Sequence, residues 1–288
     1  MDKKKPTVLT LKQMKREGQK ITMTTAYDYG MMSQVAKSDI DIVLVGDSAA
    51  MTMLGYESTV PIDLETMLVF CQGVARAGKH TFLVGDMPFM SYEVSVEKAV
   101  ANAGRIMKEG FMDSVKLEGG ERVADTVAAI VRAGIPVMGH IGLTPQSASQ
   151  LGGFTVQGKD LQSAKQIVKD ALALEKAGVF AIIMEVVPAP VAKLVTELVQ
   201  VPIIGIGGGK HCDGQVMVLH DMLGLFDKFS PRFVKRYAHL GAEMQKALNQ
   251  FASEVREGRF PSQEHSFSMP DEVAGQLVAG LKEDGVLK

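Results

Sequence analysis

Short runs of almost uninterrupted apolar residues recur along the chain and alternate with longer amphipathic stretches. Such a run is typical of a strand that is buried on both faces, as in a parallel sheet. Between the runs, apolar residues recur at helical spacing, as in Val96, Val100, Ala103 and Met107. The predicted strands are Ile21–Thr25, Ile42–Val45, Thr81–Val84, Ser114–Leu117, Ile135–Met138, Val179–Met184, Ile203–Ile206 and Val216–Leu219.

Eight strands that alternate with helices fit either a closed (β/α)8 barrel or an open doubly wound sheet, and the count favours the TIM barrel. The 288 residues suit one such domain, 1–288. A helix is predicted at about 10–18, because Thr10 and Gln13 have capping-box spacing and Gly18 is a stop signal. Strand signals cease after about residue 228, so 229–288 are predicted to be a C-terminal helical extension of the same domain.

Charge and composition exclude several kinds of partner. The 31 basic and 33 acidic residues give a net charge of −2 without a basic patch, which argues against nucleic acid and anionic membranes and favours a small-molecule partner. Cys71 and Cys212 are far apart, so neither a disulfide framework nor a structural zinc site is indicated. Neither a signal peptide nor a membrane-spanning run is recognisable, and we expect a cytoplasmic protein.

Polar residues stand at the predicted strand ends, where a parallel barrel has its active site. The string Leu-Val-Gly-Asp ends both the second and the third strand, with Asp47 and Asp86 as its last residues. Aspartates at matching levels on neighbouring strands can bind one ion, and oxygen ligands suit Mg2+ or Mn2+ better than zinc. Each aspartate alone fits equally well as the N-cap of the following helix.

The fourth and fifth strands end with Lys116, Glu118 and His140. Lys116 and Glu118 are two residues apart and therefore point to the same side of a strand, which is either a buried salt bridge or part of the barrel interior. In the second case Lys116 would bind a substrate carboxylate and Glu118 would orient a metal-bound water. His140 would donate to a developing oxyanion, unless it is only a structural histidine.

Glu185 ends the strongly apolar sixth strand. A carboxyl group placed there would be partly desolvated and more basic, which suits proton abstraction. The glycine-rich run Gly205–Lys210 matches neither the dinucleotide-binding nor the P-loop template. We interpret it as a tight turn whose backbone amides are open to a ligand.

Six strings occur in order from about residue 7 to the C-terminal region: Thr24–Asp28, Val45–Ser48, Gly85–Phe89, Val115–Gly120, Gly139–Gln146 and Gly205–Gly207. Together they resemble those of the ketopantoate hydroxymethyltransferase family. One departure is Gly208, which stands where the family string is expected to have alanine. It leaves the metal and base assignments unchanged.

The resemblance implies a barrel of the phosphoenolpyruvate/pyruvate type. It implies Mg2+ held by Asp47 and Asp86, with Glu118 at the metal site, and Glu185 as the base. Family members form large homo-oligomers, so a homo-oligomer is expected, with a decamer as a candidate size. The residues expected to contact the 2-oxo acid are Ser48, Asp86, Lys116 and His140.

The activity implied by the resemblance is hydroxymethyl transfer from 5,10-methylenetetrahydrofolate to 3-methyl-2-oxobutanoate, giving ketopantoate for pantothenate and coenzyme A biosynthesis. A lysine Schiff base is not required, because pairing with Glu118 would keep Lys116 charged and poorly nucleophilic. One alternative is a lyase or mutase of the same superfamily that acts on a phosphonate or a hydroxy-diacid. Another is a barrel that binds a ligand without catalysis.

Overall fold

Eight parallel strands, paired in chain order and closed from the last to the first, form a barrel in the computed structural model. The structure describes residues 4–228 and 231–288. The predicted TIM barrel is therefore confirmed. The strands are β1 Ile21–Thr25, β2 Ile42–Val45, β3 Phe82–Asp86, β4 Ser114–Glu118, β5 Val137–Gly142, β6 Ala181–Glu185, β7 Ile203–Ile206 and β8 Gly214–Met217.

Helices surround the barrel and follow every strand except β7, which is joined to β8 without a helix. Several of them begin at an aspartate or serine side chain that accepts a hydrogen bond from a backbone N–H of the first turn, as at Asp63 and Ser95. Short 3-10 turns lie at Glu121–Val123 and Pro145–Ser147. The helices are α1 Val8–Arg16, α2 Tyr29–Val35, α3 Ala49–Thr52, α4 Leu64–Ala77, α5 Val96–Lys108, α6 Ala124–Arg132, α7 Leu161–Ala177, α8 Ala189–Leu198 and α9 Leu219–Met222.

Helix α1 closes the bottom of the barrel. It begins two residues before the predicted start, because Thr7 rather than Thr10 is the N-cap, and Thr7 and Thr10 form the capping box. Leu11 and Met14 are buried in one cluster with side chains of the barrel interior. Lys15 reaches Asp213, which precedes β8, at 2.8 Å.

Alternate residues of a strand face the two sides of the barrel wall. In β2, Ile42 and Leu44 belong to the interior cluster, whereas Val43 and Val45 pack with the surrounding helices. Both faces are therefore buried, which explains why the strand reads as one continuous apolar run. Cys71 and Cys212 are buried free thiols in this structure.

The predicted position of the eighth strand is displaced. The apolar run indicated Val216–Leu219, but β8 spans Gly214–Met217. Gly214 pairs with Ile21 of β1, and a side chain at position 214 would lie 2.5 Å from the carbonyl oxygen of Ile21. Close approach of the backbones thus requires glycine here, and glycine weakens the apolar signal.

The chain falls into two compact units, residues 1–238 and 239–288. The second unit contains α10 Leu240–Arg256, a 3-10 turn at Gln263–His265, and α11 Asp271–Glu283. Its helical character agrees with the sequence, and its inclusion in one domain with the barrel stays a prediction. Among the described residues, we find no helix with the length and apolar character needed to cross a membrane.

Candidate active site

A pocket opens at the carboxyl ends of the strands, and every residue predicted for the site lines it. This is the face at which barrels of this kind carry their active sites. The sequence thus placed these side chains together correctly, while their chemical roles stay predictions. The residues are Asp47, Ser48, Asp86, Lys116, Glu118, His140 and Glu185.

The two aspartates predicted as metal ligands are neighbours. The backbone N–H of Asp47 donates a hydrogen bond to Asp86 Oδ2 at 3.0 Å. The sequence suggested that the two Leu-Val-Gly-Asp strings match in level, but Val45 pairs with Gly85, so they are offset by one residue. The N-cap alternative is wrong for both aspartates, since α3 and α5 begin after the serines at positions 48 and 95.

Asp86 offers an unsatisfied oxygen to a cation. Its Oδ2 accepts from Asp47 and lies 2.9 Å from Lys116 Nζ, whereas its buried Oδ1 has no hydrogen-bond partner among the described residues. Burial raises the pKa of Asp86 to about 7, against the opposing charge of Lys116. A bound cation would satisfy this oxygen.

The carboxylates alone do not form a complete metal site. In residues 4–228 and 231–288, no three His, Cys, Asp or Glu side chains converge as a cation-binding group. Water and substrate oxygens would have to complete the coordination sphere, which is the usual situation for Mg2+ but not for structural zinc. Asp47 and Asp86 therefore fit a magnesium-type ion that binds together with a chelating substrate.

Glu118 is fully buried with both oxygens engaged. Its Oε1 lies 3.2 Å from both Lys116 Nζ and His140 Nδ1, and its Oε2 accepts from the backbone N–H of Gln146 at 3.0 Å. Although burial opposes ionisation, Lys116 and His140 lower the pKa of Glu118 to about 2. The arrangement favours a role in holding its neighbours over direct coordination of a metal.

Lys116 carries a permanent positive charge at the floor of the pocket. Burial lowers its pKa, but Asp86 and Glu118 more than offset this and raise the pKa well above its ordinary value. The two alternatives drawn from the sequence are thus true together, because Lys116 is salt-bridged and also lines the pocket.

His140 lies between two carboxylates. Its Nδ1 is 3.2 Å from Glu118 and its Nε2 is 3.3 Å from Glu185, although neither contact has hydrogen-bond geometry. Burial and the charge of Lys116 lower the pKa of His140, but the two glutamates raise it to about 9. A protonated imidazole has only donors, so His140 can stabilise negative charge and cannot serve as a base at neutral pH.

Glu185 ends β6, and its side chain is 16% exposed to the pocket. Its carbonyl oxygen accepts from Leu143 at 2.9 Å, which fixes the backbone on one side. The next residue, Val186, has a left-handed φ of 50°, which is rare for a β-branched residue. Strain of this kind is found where a neighbouring side chain must be aimed.

Gly142 provides room for this backbone, and Gly142→Ala is expected to disturb it. Gly142 has φ +90°, and an added Cβ would overlap the carbonyl oxygen of Glu185. Gly134 is a matched control, because it has φ +86° but nothing within 4 Å. Alanine should cost about 1–2 kcal/mol of stability at Gly134 and more at Gly142, where the backbone must also shift. Displacement of Glu185 should lower turnover by roughly 10²-fold in Gly142→Ala alone. Equal turnover in the two variants would contradict this.

Two residues of the site were not predicted. Gln146 is buried, and its Nε2 donates to Asp47 Oδ2 and to the carbonyl oxygen of Met87, both at 3.0 Å. Tyr92 donates to Gln146 Oε1 at 2.7 Å. Gln146 is the last residue of the string Gly139–Gln146, so the sequence did contain a signal for it. Tyr92 lies in the irregular segment between β3 and α5, where neither periodicity nor position marks it.

Ser48 is oriented by Tyr27, whose Oη lies 2.8 Å from Ser48 Oγ. Burial raises the pKa of Tyr27 to about 12, so the phenol stays protonated.

The glycine-rich run Gly205–Lys210 forms the predicted tight turn, with positive φ at Gly207 and Gly209. Of this run, Ile206 lines the pocket, whereas Gly207 packs against Phe233. The expected row of ligand-facing amides therefore has no support here.

Solved structures share the barrel architecture at low sequence identity. A phosphonopyruvate hydrolase in complex with oxalate and Mg2+ aligns with a TM-score of 0.60 and 10% identity, covering 96% of this chain and 98% of that chain. A 2,3-dimethylmalate lyase of the PEP mutase/isocitrate lyase superfamily aligns with a TM-score of 0.58 and 14% identity, covering 96% and 98%. At such identities the likeness shows the fold alone.

Sequence relatives are much closer. A 3-methyl-2-oxobutanoate hydroxymethyltransferase of Heliobacterium modesticaldum is 53% identical over 272 residues, covering 94% of this chain and 99% of the relative. One of Moorella thermoacetica is 54% identical over 261 residues, covering 91% and 97%. The family model for ketopantoate hydroxymethyltransferase matches residues 5–263. The chain belongs to the ketopantoate hydroxymethyltransferase family.

Proposed function

We propose that the protein transfers a hydroxymethyl group from 5,10-methylenetetrahydrofolate to 3-methyl-2-oxobutanoate, forming ketopantoate for pantothenate and coenzyme A biosynthesis. One observation carries the proposal: a single pocket holds an aspartate pair, two buried cationic side chains and a partly exposed glutamate. That set can bind an anionic 2-oxo acid and remove a proton from it. Family membership supplies the one-carbon donor.

The aspartate pair is the proposed site for a divalent cation. Asp47 and Asp86 would hold it, and the unpartnered Oδ1 of Asp86 supports this assignment. When bound, the cation would draw electron density from the 2-oxo group and make the adjacent C3–H more acidic. Glu118 would keep Lys116 and His140 in place without joining the coordination sphere.

The cationic side chains would orient the substrate. Lys116 and His140 are buried, so each can form a strong charge-assisted contact with a carboxylate or a 2-oxo oxygen. Ser48 adds a hydroxyl group whose position is fixed by Tyr27. Because His140 is protonated, it can also stabilise the charge that develops on oxygen when C3 loses its proton.

Glu185 would take up the C3 proton. The electron pair of the broken C–H bond then forms the new bond between C3 and the methylene carbon of the folate. Both bonds from that carbon to the two folate nitrogens break, one as the carbon bonds to C3 and one as it bonds to the oxygen of water, and each nitrogen takes a proton. One water supplies the hydroxyl oxygen, so that the net products are ketopantoate and tetrahydrofolate.

Lys116 is not expected to form an imine with the substrate. Its Nζ is held by Asp86 at 2.9 Å and Glu118 at 3.2 Å, and the high pKa keeps it protonated. An ammonium has no lone pair with which to attack a carbonyl. Borohydride added to the protein with 3-methyl-2-oxobutanoate should therefore leave the intact mass unchanged. A mass increase that maps to Lys116 by peptide analysis would overturn the metal-assisted route.

The proposal is tested by proton NMR of 3-methyl-2-oxobutanoate in deuterated water with protein and Mg2+ but without folate. Loss of the C3 signal is expected, because proton removal precedes carbon transfer. Addition of 5,10-methylenetetrahydrofolate should then yield ketopantoate. A lyase or mutase of the superfamily would ignore the folate, and a non-catalytic barrel would leave the C3 signal intact. A homo-oligomeric state and a cytoplasmic location stay predictions.

A further inference from the structure

The pocket extends beyond the polar residues into a wall of aromatic and apolar side chains. Phe233 packs against the barrel interior cluster and over Gly207 at the end of β7, so it lies at the mouth. Phe154, from the segment between β5 and α7, is 53% exposed and also lines the pocket. Phe226 completes this wall, which we call the aromatic rim: Phe154, Phe226 and Phe233. The small 2-oxo acid needs no such surface.

A carboxylate lies next to the aromatic rim and takes no part in the proposed proton transfer. Asp221, on α9 after β8, lines the same pocket and is partly buried. In the part of the chain that the structure describes, its side chain forms neither a hydrogen bond nor a salt bridge. Burial raises its pKa to about 6, and the charge of Arg236 opposes this. Such a group is positioned to receive donors from a ligand.

We propose that the aromatic rim and Asp221 form the binding site for the pterin ring of the folate. This inference rests on the proposed function, and it names the residues that would bind the second substrate of the reaction. A pterin presents a ring N–H and an amino group side by side, which match the two oxygens of one carboxylate. Its flat face suits contact with phenylalanine rings. The site would hold the one-carbon unit above the pocket floor where the oxo acid binds.

Arg236 supports the same orientation of the ligand. It is exposed, and its charge acts on Asp221, so it lies near the proposed pterin site. The glutamyl tail of a folate is anionic and must leave the pocket toward solvent. A cationic side chain at that exit would attract the tail without being buried by it.

Asp221→Asn tests the inference, because it keeps the shape but replaces one acceptor with a donor. The dissociation constant for tetrahydrofolate, measured by calorimetry, and KM for 5,10-methylenetetrahydrofolate should both rise roughly 10- to 100-fold. Deuterium exchange at C3 of the oxo acid should continue, since folate takes no part in it. Asp227→Asn is the control, because Asp227 is exposed on the same segment and makes the same change in charge.

A second ligand separates the pterin ring from the tail. The fragment p-aminobenzoylglutamate lacks the pterin, so Asp221→Asn should not weaken its binding, whereas Arg236→Gln should. Unchanged tetrahydrofolate binding in Asp221→Asn would overturn the inference, and so would loss of C3 exchange in that variant, which would assign Asp221 to the oxo acid. If the unmodified protein itself fails to exchange C3, the proposed function fails, while weakened tetrahydrofolate binding in Asp221→Asn would still support the pterin site.

Discussion

Glu185→Gln is expected to slow deuterium exchange at C3 of 3-methyl-2-oxobutanoate by about 10²- to 10⁴-fold. Glutamine matches glutamate in shape but cannot accept a proton at neutral pH. The two groups nearest to it are poor substitutes: His140 is already protonated, and Glu118, with a pKa of about 2, is a very weak base. Proton NMR in deuterated water measures the rate directly and needs no folate.

Binding should survive this substitution, because the proposed contacts with the oxo acid come from other side chains. Calorimetric titration of Glu185→Gln with the oxo acid and Mg2+ is expected to give a dissociation constant within a fewfold of the parent. Glu197→Gln, on the exposed side of α8, serves as the control for the loss of one carboxylate. Exchange in Glu185→Gln at the parental rate would favour a ligand-binding barrel or a different base.

The sequence predicts the barrel well because a strand that is buried on both faces has apolar residues at nearly every position. Strands β1, β2 and β7 match their predicted bounds, and β2 is a continuous apolar run. A predicted strand bound is wrong where close packing of the backbone determines which residue can occupy a position. Gly214 begins β8 because Ile21 leaves no room for a side chain there, and no hydrophobic pattern can report that contact.

The sequence could predict those residues of the site that stand at the ends of strands, because the strand ends converge in a barrel. Asp86, Lys116, His140 and Glu185 are placed by four neighbouring strands, so the fold alone brings them together. Tyr92 and Asp221 could not be found in this way. Tyr92 contacts Gln146, and Asp221 lines the pocket. Both come from segments outside the strands, so their position depends on the path of those segments. The offset between β2 and β3 was equally hidden, since register depends on backbone pairing.

Asp86→Asn is expected to separate stability from activity. Without a cation, the ionised carboxylate of Asp86 is buried with one unpartnered oxygen, and its raised pKa means that the folded protein favours the neutral form. The stabilisation from a protonated Asp86 is present below the unfolded pKa of about 4 and is lost as the pH rises through about 7. At pH 8 the neutral asparagine should thus give a cation-free Tm at or above that of the parent.

In the presence of Mg2+, the parent should have a higher Tm than Asp86→Asn. A ligand at 100 times its dissociation constant stabilises the folded state by about 2.7 kcal/mol, so the Tm of the parent should rise with Mg2+. Loss of groups that merely orient metal ligands costs about 10- to 100-fold in affinity, and loss of a direct ligand should cost at least as much. Asp86→Asn should therefore show little Mg2+-dependent rise in Tm and strongly reduced C3 exchange.

Asp113→Asn is the matched control, because Asp113 precedes β4 at the opposite end of the barrel and accepts from the backbone of Leu83. It should keep the full response of Tm to Mg2+. A parental Mg2+ response in Asp86→Asn would place the cation elsewhere in the molecule. The unpartnered oxygen of Asp86 would then have to be explained by the substrate alone, and acidification of C3 would depend on Lys116 and His140.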